Sequence, residues 1–471
     1  MNRLARLLSA LLLIGCGLGT LPAQAQIVVP IGSGIPGANY VAIDGSGNVY
    51  VSYFFRGTIA EILATGGYST VVTLPTGFSS PQAIALDSSS DIFAAEPTNG
   101  ALLESLAAGG YTTTNSLLGG VNAQGVAVDG SGNVFFTDGQ NNAVKEILAV
   151  GGYTTVNTLV SGLNAPRGVA VDGSGNVFFA DSHNNAVKEI LAAGGYGTVI
   201  TLAVTTGNFN QPQGVAVDGS GNVFVVDGGT SAVKEILAAG DYVTVTTLAS
   251  GLADPEGVAV DGNGDVFVAD AGDGTVQEIL AVPAVGAVTP SAGPAAGGNT
   301  VTIAGTGLAG ATAIAFGTVP ATSFTVVSPT RIAATVPAGT IGTVDVTVTA
   351  PGGTSATGVA DDYTYAPAPV VSAIAPTGGP TAGGTAVIIT ATDLTGTTAV
   401  SFGTVAAASF SIDSATQIAA TAPPGAAGTV DVTVTALGGI SATTAADQFT
   451  YVAPPTVSSV GPSEGPVSGG N

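Results

Sequence analysis

The chain has 471 residues, 8 Lys and Arg against 31 Asp and Glu, a formal charge of -23, 70 glycines, no tryptophan and one cysteine. So acidic a surface repels nucleic-acid phosphates and anionic membranes, and a single cysteine excludes a disulfide framework. Charged residues reach only 8%, against about 25% in typical domains, which suits a β-rich extracellular protein with a Thr, Ser, Asn and Gly surface.

Residues 1–25 begin with Arg3 and Arg6, continue apolar from Leu7 to Leu21 and end in Ala23-Gln24-Ala25. This pattern predicts a secretory signal peptide cut before Gln26. Leu13-Ile14-Gly15-Cys16 offers a competing lipobox, in which Cys16 would become an acylated N-terminus. The Ala-x-Ala site stands next to the first strand, which favours plain secretion. No other apolar run approaches spanning length, so no transmembrane segment is expected.

Residues 26–281 repeat. Asp44, Asp87, Asp129, Asp172, Asp218 and Asp261 anchor six copies at spacings of 43, 42, 43, 46 and 43 residues. Each copy holds four short β-type runs, such as GVAVD, NVFFAD, AVKEIL and TVITL between Gly168 and Leu202. The Asp-Gly-Ser-Gly-Asn step supplies the positive φ of a tight hairpin, and four antiparallel strands per unit is the size of a propeller blade. The sixth copy stops at Leu280 without its fourth strand, while Ile27–Ile31 precedes the first copy. That N-terminal segment is therefore expected to pair with the sixth copy and close the ring. The second copy, with Ser88-Ser89-Ser90-Asp91 in its hairpin, is expected to be less regular.

The runs Pro166 to Asp181, Pro212 to Asp227 and Pro255 to Asp270 carry Pro-x-Gly-Val-Ala-Val-Asp followed by a Val-Phe strand ending in Asp. They resemble NHL repeats, which implies an all-β, six-bladed β-propeller. Some propellers of this kind are metal-dependent lyases or lactone hydrolases, whose sites need several histidines or convergent Asp, Asn and Glu ligands. His183 is the only histidine, so a multi-histidine zinc site cannot be built, and no Gly-x-Ser-x-Gly elbow stands near it.

Positions identical in every blade read as scaffold. Glu61, Glu104, Glu146, Glu189, Glu235 and Glu278 are equivalent, and are expected to hydrogen-bond between blades with Lys145, Lys188 and Lys234 as partners. The Asp261–Asp265 loop alternates oxygen-bearing residues, but Val266 stands where an EF-hand loop needs glycine. Two Gly-x-Gly-x-x-Gly matches, Gly32 to Gly37 and Gly305 to Gly310, open no helix and are chance in a chain this rich in glycine.

Function is expected where the copies differ. On one face lie Asn39, Gln82, Gln124, Arg167, Gln213 and Glu256, each just before an innermost strand. Beside them Tyr53, Glu96, Asp138, Asp181, Asp227 and Asp270 end the second strands, with His183 nearby. Together they make a candidate polar, acidic funnel for ligand, with Asp138, Asp181, Asp227 and Asp270 as a possible calcium set. The competing reading is that these carboxylates cap their own Asp-x-x-Asn turns.

After Val282 the composition shifts and the period becomes 86 residues, seen in Gly297 and Gly383, Phe316 and Phe402, and Tyr365 and Tyr451. Alternating strands predict immunoglobulin-like β-sandwiches. Val288 to Pro294, then Gly297-Gly298 and Val301-Thr302-Ile303, resemble IPT/TIG domains, with units over 282–368 and 369–454 and the opening of a third over 455–471. Arg331 is their only cation, which excludes DNA binding. The reading that follows is a secreted or cell-surface, non-catalytic protein. Its propeller face binds a protein or glycan, its sandwiches are spacers, and no cofactor is required. The alternative is a calcium-dependent hydrolase or lyase using the funnel carboxylates.

Overall fold

A computed structural model describes residues 26–32, 37–203 and 209–461. The signal-peptide and lipobox segment and residues 462–471 of the expected third unit lie outside the described residues, as does part of the Gly32 to Gly37 match. The described chain is built almost wholly of strands.

Six four-stranded antiparallel sheets come first, five of them formed by consecutive strands. In the first blade these are Val41–Ile43, Val49–Tyr53, Thr58–Leu63 and Thr70–Leu74. The sixth sheet takes Pro255–Val260, Val266–Asp270 and Thr275–Ile279 from one end of the repeats and Val28–Ile31 from the other. Val28 pairs with Ile279 and Ile31 with Val276, and Ile31 is buried in the core of the first blade's strands. Its edge is thus covered by the chain's own N-terminal strand.

The hairpin between the first two strands of a blade is held by its aspartate. Asp44 Oδ1 accepts the amides of Ser46 and Asn48, and Oδ2 accepts Asn48 Nδ2. Asn48 Oδ1 in turn accepts the amide of Ala64 at 3.0 Å, tying this turn to the next. The Asp129, Asp172 and Asp218 hairpins repeat the arrangement. The second blade keeps the four-stranded sheet of its neighbours, while its inner strand, Ala83–Leu86, lacks the opening bulge of the third blade and only backbone amides bond Asp87 in its hairpin. Ser90 takes the left-handed position at φ 65°, and Asp91 accepts the amide of Ala107, as Asp265 accepts that of Ala281 in the sixth blade, where the remaining blades use asparagine.

The turn after the third strand places a tyrosine in left-handed conformation: Tyr68, Tyr111, Tyr153, Tyr196 and Tyr242 have φ between 58° and 63°. A non-glycine residue there costs about 1 kcal/mol. Each ring lies edge-on or tilted against an aromatic of the preceding blade: Tyr111 on Tyr50, Tyr153 on Phe93, Tyr196 on Phe135, Tyr242 on Phe178 and Tyr68 on Phe267. Such pairs contribute about 0.5–1.5 kcal/mol beyond burial, enough to offset the backbone. The last contact joins the first blade to the sixth.

Each of the two following units packs a four-stranded sheet against a second sheet, the second opened by a short strand that pairs in parallel: Ala292–Pro294 with Asp362–Ala366, and Gly378–Pro380 with Gln448–Val452. Phe316, Tyr363 and Tyr365 fill the first core and Phe402, Phe449 and Tyr451 the second, at the 86-residue offset of the sequence.

Candidate functional site

The innermost strands place the candidate face. In the third to sixth blades the strand opens with a β-bulge, between Ala123 and Gly125, Pro166 and Val169, Pro212 and Val215, and Pro255 and Gly257. Gln124, Arg167, Gln213 and Glu256 sit in these bulges, which re-aim a side chain out of the pleat. The glycine that follows is dictated by the next blade. A Cβ on Gly125, Gly168 or Gly214 would lie 2.4–2.6 Å from the carbonyl oxygen of Arg167, Gln213 or Glu256, respectively. Hydroxyls add cross-links: Ser52 Oγ donates to Gln82 O at 2.8 Å, and Thr137 Oγ1 donates to Arg167 O. The backbone under the candidate residues is therefore fixed by packing between blades.

The strand-end residues correct the sequence reading. Asp138, Asp181, Asp227 and Asp270 are fully buried and Glu96 is 1% exposed, so they do not line an open acidic funnel. In four of the five the carboxylate receives the incoming loop from the previous blade: Asp181 accepts the amide of Asn164, Asp227 that of Asn210, Asp270 those of Ala253 and Asp254, and Glu96 those of Ser79 and Ser80. They also cap their own turns, Asn99 donating to Glu96, Asn141 to Asp138 and Asn184 to Asp181. Nor do Asp138, Asp181, Asp227 and Asp270 gather as a calcium set. Each serves its own blade, and among the described residues the one acidic cluster with ligand oxygens within 4.8 Å of one another is Asp345, Asp361 and Asp362.

The lysines pair with these aspartates and not with the repeated glutamates. Lys145, Lys188 and Lys234 reach Asp138, Asp181 and Asp227 at 2.6–2.7 Å. The reason is the pleat: neighbours along a strand point to opposite faces, so Lys145 and Glu146 diverge. Asp138, which opposes Ala143, is the diagonal neighbour of Lys145 on its own face. Burial acts to raise the Asp138 carboxyl, but hydrogen bonds from Lys145 and Asn141 bring it below its usual value. The glutamates bond within their blades, Glu61 with Tyr50, Glu104 with Asn115 and Glu146 with Asn157. Opposite Glu189 and Glu235 stand Ile200 and Thr246; burial, then the charges of Asp172 and Asp218, push these two carboxyls up.

Of the inner-strand candidates the structure brings together Asn39 and Glu256, from the first and sixth blades, with Asn39 Nδ2 donating to Glu256 Oε2 at 2.8 Å. Asn39 Oδ1 accepts the amide of Phe54, so this asparagine joins the axial rim to the loop beside it. Burial raises the Glu256 carboxyl, the bond from Asn39 and the charge of Arg167 opposing it. Arg167, half-buried, makes no side-chain hydrogen bond or ion pair with a described residue. Its charge, like that of Glu256, reaches the buried Tyr40 phenol, whose hydroxyl has no hydrogen-bond partner. Tyr53 is likewise buried with an unpartnered hydroxyl. Gln82 and Gln213 are half-buried, and Gln124 bonds Asn122. His183 is exposed on the turn Ser182–Asn184. Sequence reasoning missed the matching turn of the first blade, Phe54–Arg56, where Phe55 is 88% exposed and packs edge-on against Phe54. The available signal was Phe-Phe-Arg where other blades carry Ser-His-Asn or Gly-Gly-Thr.

Comparison with known proteins follows this division of the chain. The IPT/TIG domain family matches residues 283–365 and 369–451, and the NHL repeat family matches residues 209–236 and 252–279. No curated protein matches the chain. Among solved structures, a virginiamycin B lyase from Staphylococcus aureus is similar at 16% identity and a TM-score of 0.40, over 51% of this chain and 80% of that one. An auxiliary nutrient binding protein from Bacteroides thetaiotaomicron is similar at 14% identity and a TM-score of 0.44, over 52% of this chain and 69% of that one.

Proposed function

Because the chain is a propeller of NHL repeats followed by two IPT/TIG domains, we propose that it is a secreted or cell-surface binding protein without catalytic activity. The axial end of its propeller engages a protein or glycan, and its sandwiches act as spacers. The observation that carries this reading is the contrast on one face. The carboxylates that acid–base or metal chemistry would need are buried and hydrogen-bonded to backbone amides. The groups left for a ligand are Arg167, which has no side-chain partner among the described residues, the Asn39–Glu256 pair and the exposed Phe55. An arginine with five donors, an amide–carboxylate pair and an aromatic face are the chemistry of sugar hydroxyls, carboxylates and peptide groups.

The test is a screen of the full mature chain against immobilised glycans and envelope proteins, repeated on hits with Arg167→Ala and Phe55→Ala. Both substitutions leave the core untouched. Expected is at least a tenfold loss of affinity with an unchanged Tm, the scale of removing one central anchor. A hit whose affinity neither variant alters, or a chain that binds nothing in the screen, overturns the assignment of the axial end.

A further inference from the structure

We propose that the first sandwich carries a calcium site formed by Asp345, Asp361 and Asp362. One carboxylate oxygen from each of the three lies within 4.8 Å of the others. Asp361 is 1% exposed. Its Oδ1 accepts the amide of Gly358 at 3.0 Å, while its Oδ2 is buried with no hydrogen-bond partner. A buried carboxylate oxygen lacking a donor is costly, and a cation at the cluster removes that cost.

Asp345 and Asp362 face each other directly across an antiparallel pair, a placement that destabilises like charges. No cation of the domain relieves them, since Arg331 alone is basic between residues 282 and 368 and lies on a strand of the other sheet. The donors are all hard oxygens, with neither histidine nor cysteine, which selects calcium over zinc or copper. Asp345 is exposed and Asp362 half-buried, so a hydrated ion can approach and waters can complete the oxygen shell that calcium takes.

The second sandwich is an internal comparison. Asp431 and Asp447 stand at the same places, and Asp447 Oδ1 is likewise buried without a partner, but Gln448 occupies the position opposite Asp431. Replacing a carboxylate by an amide removes one negative charge, so this site is the weaker of the two.

Calcium titration of the chelator-treated full chain by calorimetry, with Tm followed in parallel against sodium chloride of equal ionic strength, tests the site. Saturable binding is expected in the range of extracellular calcium modules, about 10⁻⁴–10⁻³ M, with a Tm that rises with calcium and not with sodium. Asp345→Asn, at an exposed position, and the double variant Asp345→Asn/Asp362→Asn should each weaken binding about tenfold or more, and Gln448→Asp should strengthen the second site. A wild-type chain with no calcium-dependent heat or Tm shift at about 10 mM, tenfold above that range, overturns the proposal. So does binding that is unchanged in the folded single and double variants.

Discussion

Asp138 and Lys145 illustrate how one residue serves the whole face. The Asp138 carboxylate is fully buried and receives Lys145 Nζ at 2.7 Å together with Asn141. Because its folded pKa is lowered from the usual 3.8, the stability it contributes is present above that value and is lost as pH falls through the lower folded value. Lys145→Met leaves a buried charge with one partner fewer and should cost roughly 3 kcal/mol near pH 7. The deficit should shrink towards pH 3, where the variant's carboxyl is protonated and needs no cation. Calorimetric Tm values of both proteins across that range check this; a deficit independent of pH would assign the loss to the lysine's packing. Glu189 behaves oppositely. Its raised pKa means that its contribution is greatest below the ordinary glutamate value and declines as pH rises through the folded one. The role of Lys145 was not legible from residue order, because Glu146 is its neighbour in the chain but not on its face.

At the scale of elements, each inner strand opens onto its neighbour through a glycine. Gly168 leaves no room for a side chain, a Cβ there falling 2.5 Å from Gln213 O and 2.7 Å from Val215 N. Gly168→Ala should destabilise the propeller by about 2 kcal/mol or more through overpacking against backbone. Gly130→Ala, in an exposed hairpin with nothing within 4 Å of its Cβ, should cost well under 1 kcal/mol. Urea unfolding of the two variants separates a general intolerance of glycine replacement from this specific contact. The recurring Gly-Val-Ala-Val-Asp made the strand legible, and the hairpin glycines made its turn legible. That its first glycine faces another blade was not, since Gln213 and Val215 belong to the next repeat along the chain.

For the molecule as a whole, four residues from the start of the repeats complete the last sheet of the ring. Val28–Ile31 contributes the outermost strand of the sixth sheet, and Val29 and Ile31 are 7% and 1% exposed. Deleting residues 26–32 exposes the edge of Thr275–Ile279 and forfeits roughly 3–6 kcal/mol of apolar burial, a fall in Tm on the order of 10 °C for a domain of this size. A thermal melt of the truncated chain checks it; an unchanged Tm would mean that the other contacts between the first and sixth blades, including Tyr68 on Phe267, hold the ring without it.

The sequence by itself determined the all-β class, the six repeated sheets and the two sandwiches, because strand alternation, turn glycines and a constant period are local properties that each copy states again. It also located the face on which the blades differ. Only the tertiary structure decided what the residues of that face do, because partners such as Asn39 and Glu256, 217 residues apart, meet only when the first and sixth blades come together. For the same reason the acidic row that reads as a ligand funnel in the sequence is buried scaffold, and the carboxylates that do converge, Asp345, Asp361 and Asp362, lie in a sandwich whose sequence singled out none of them.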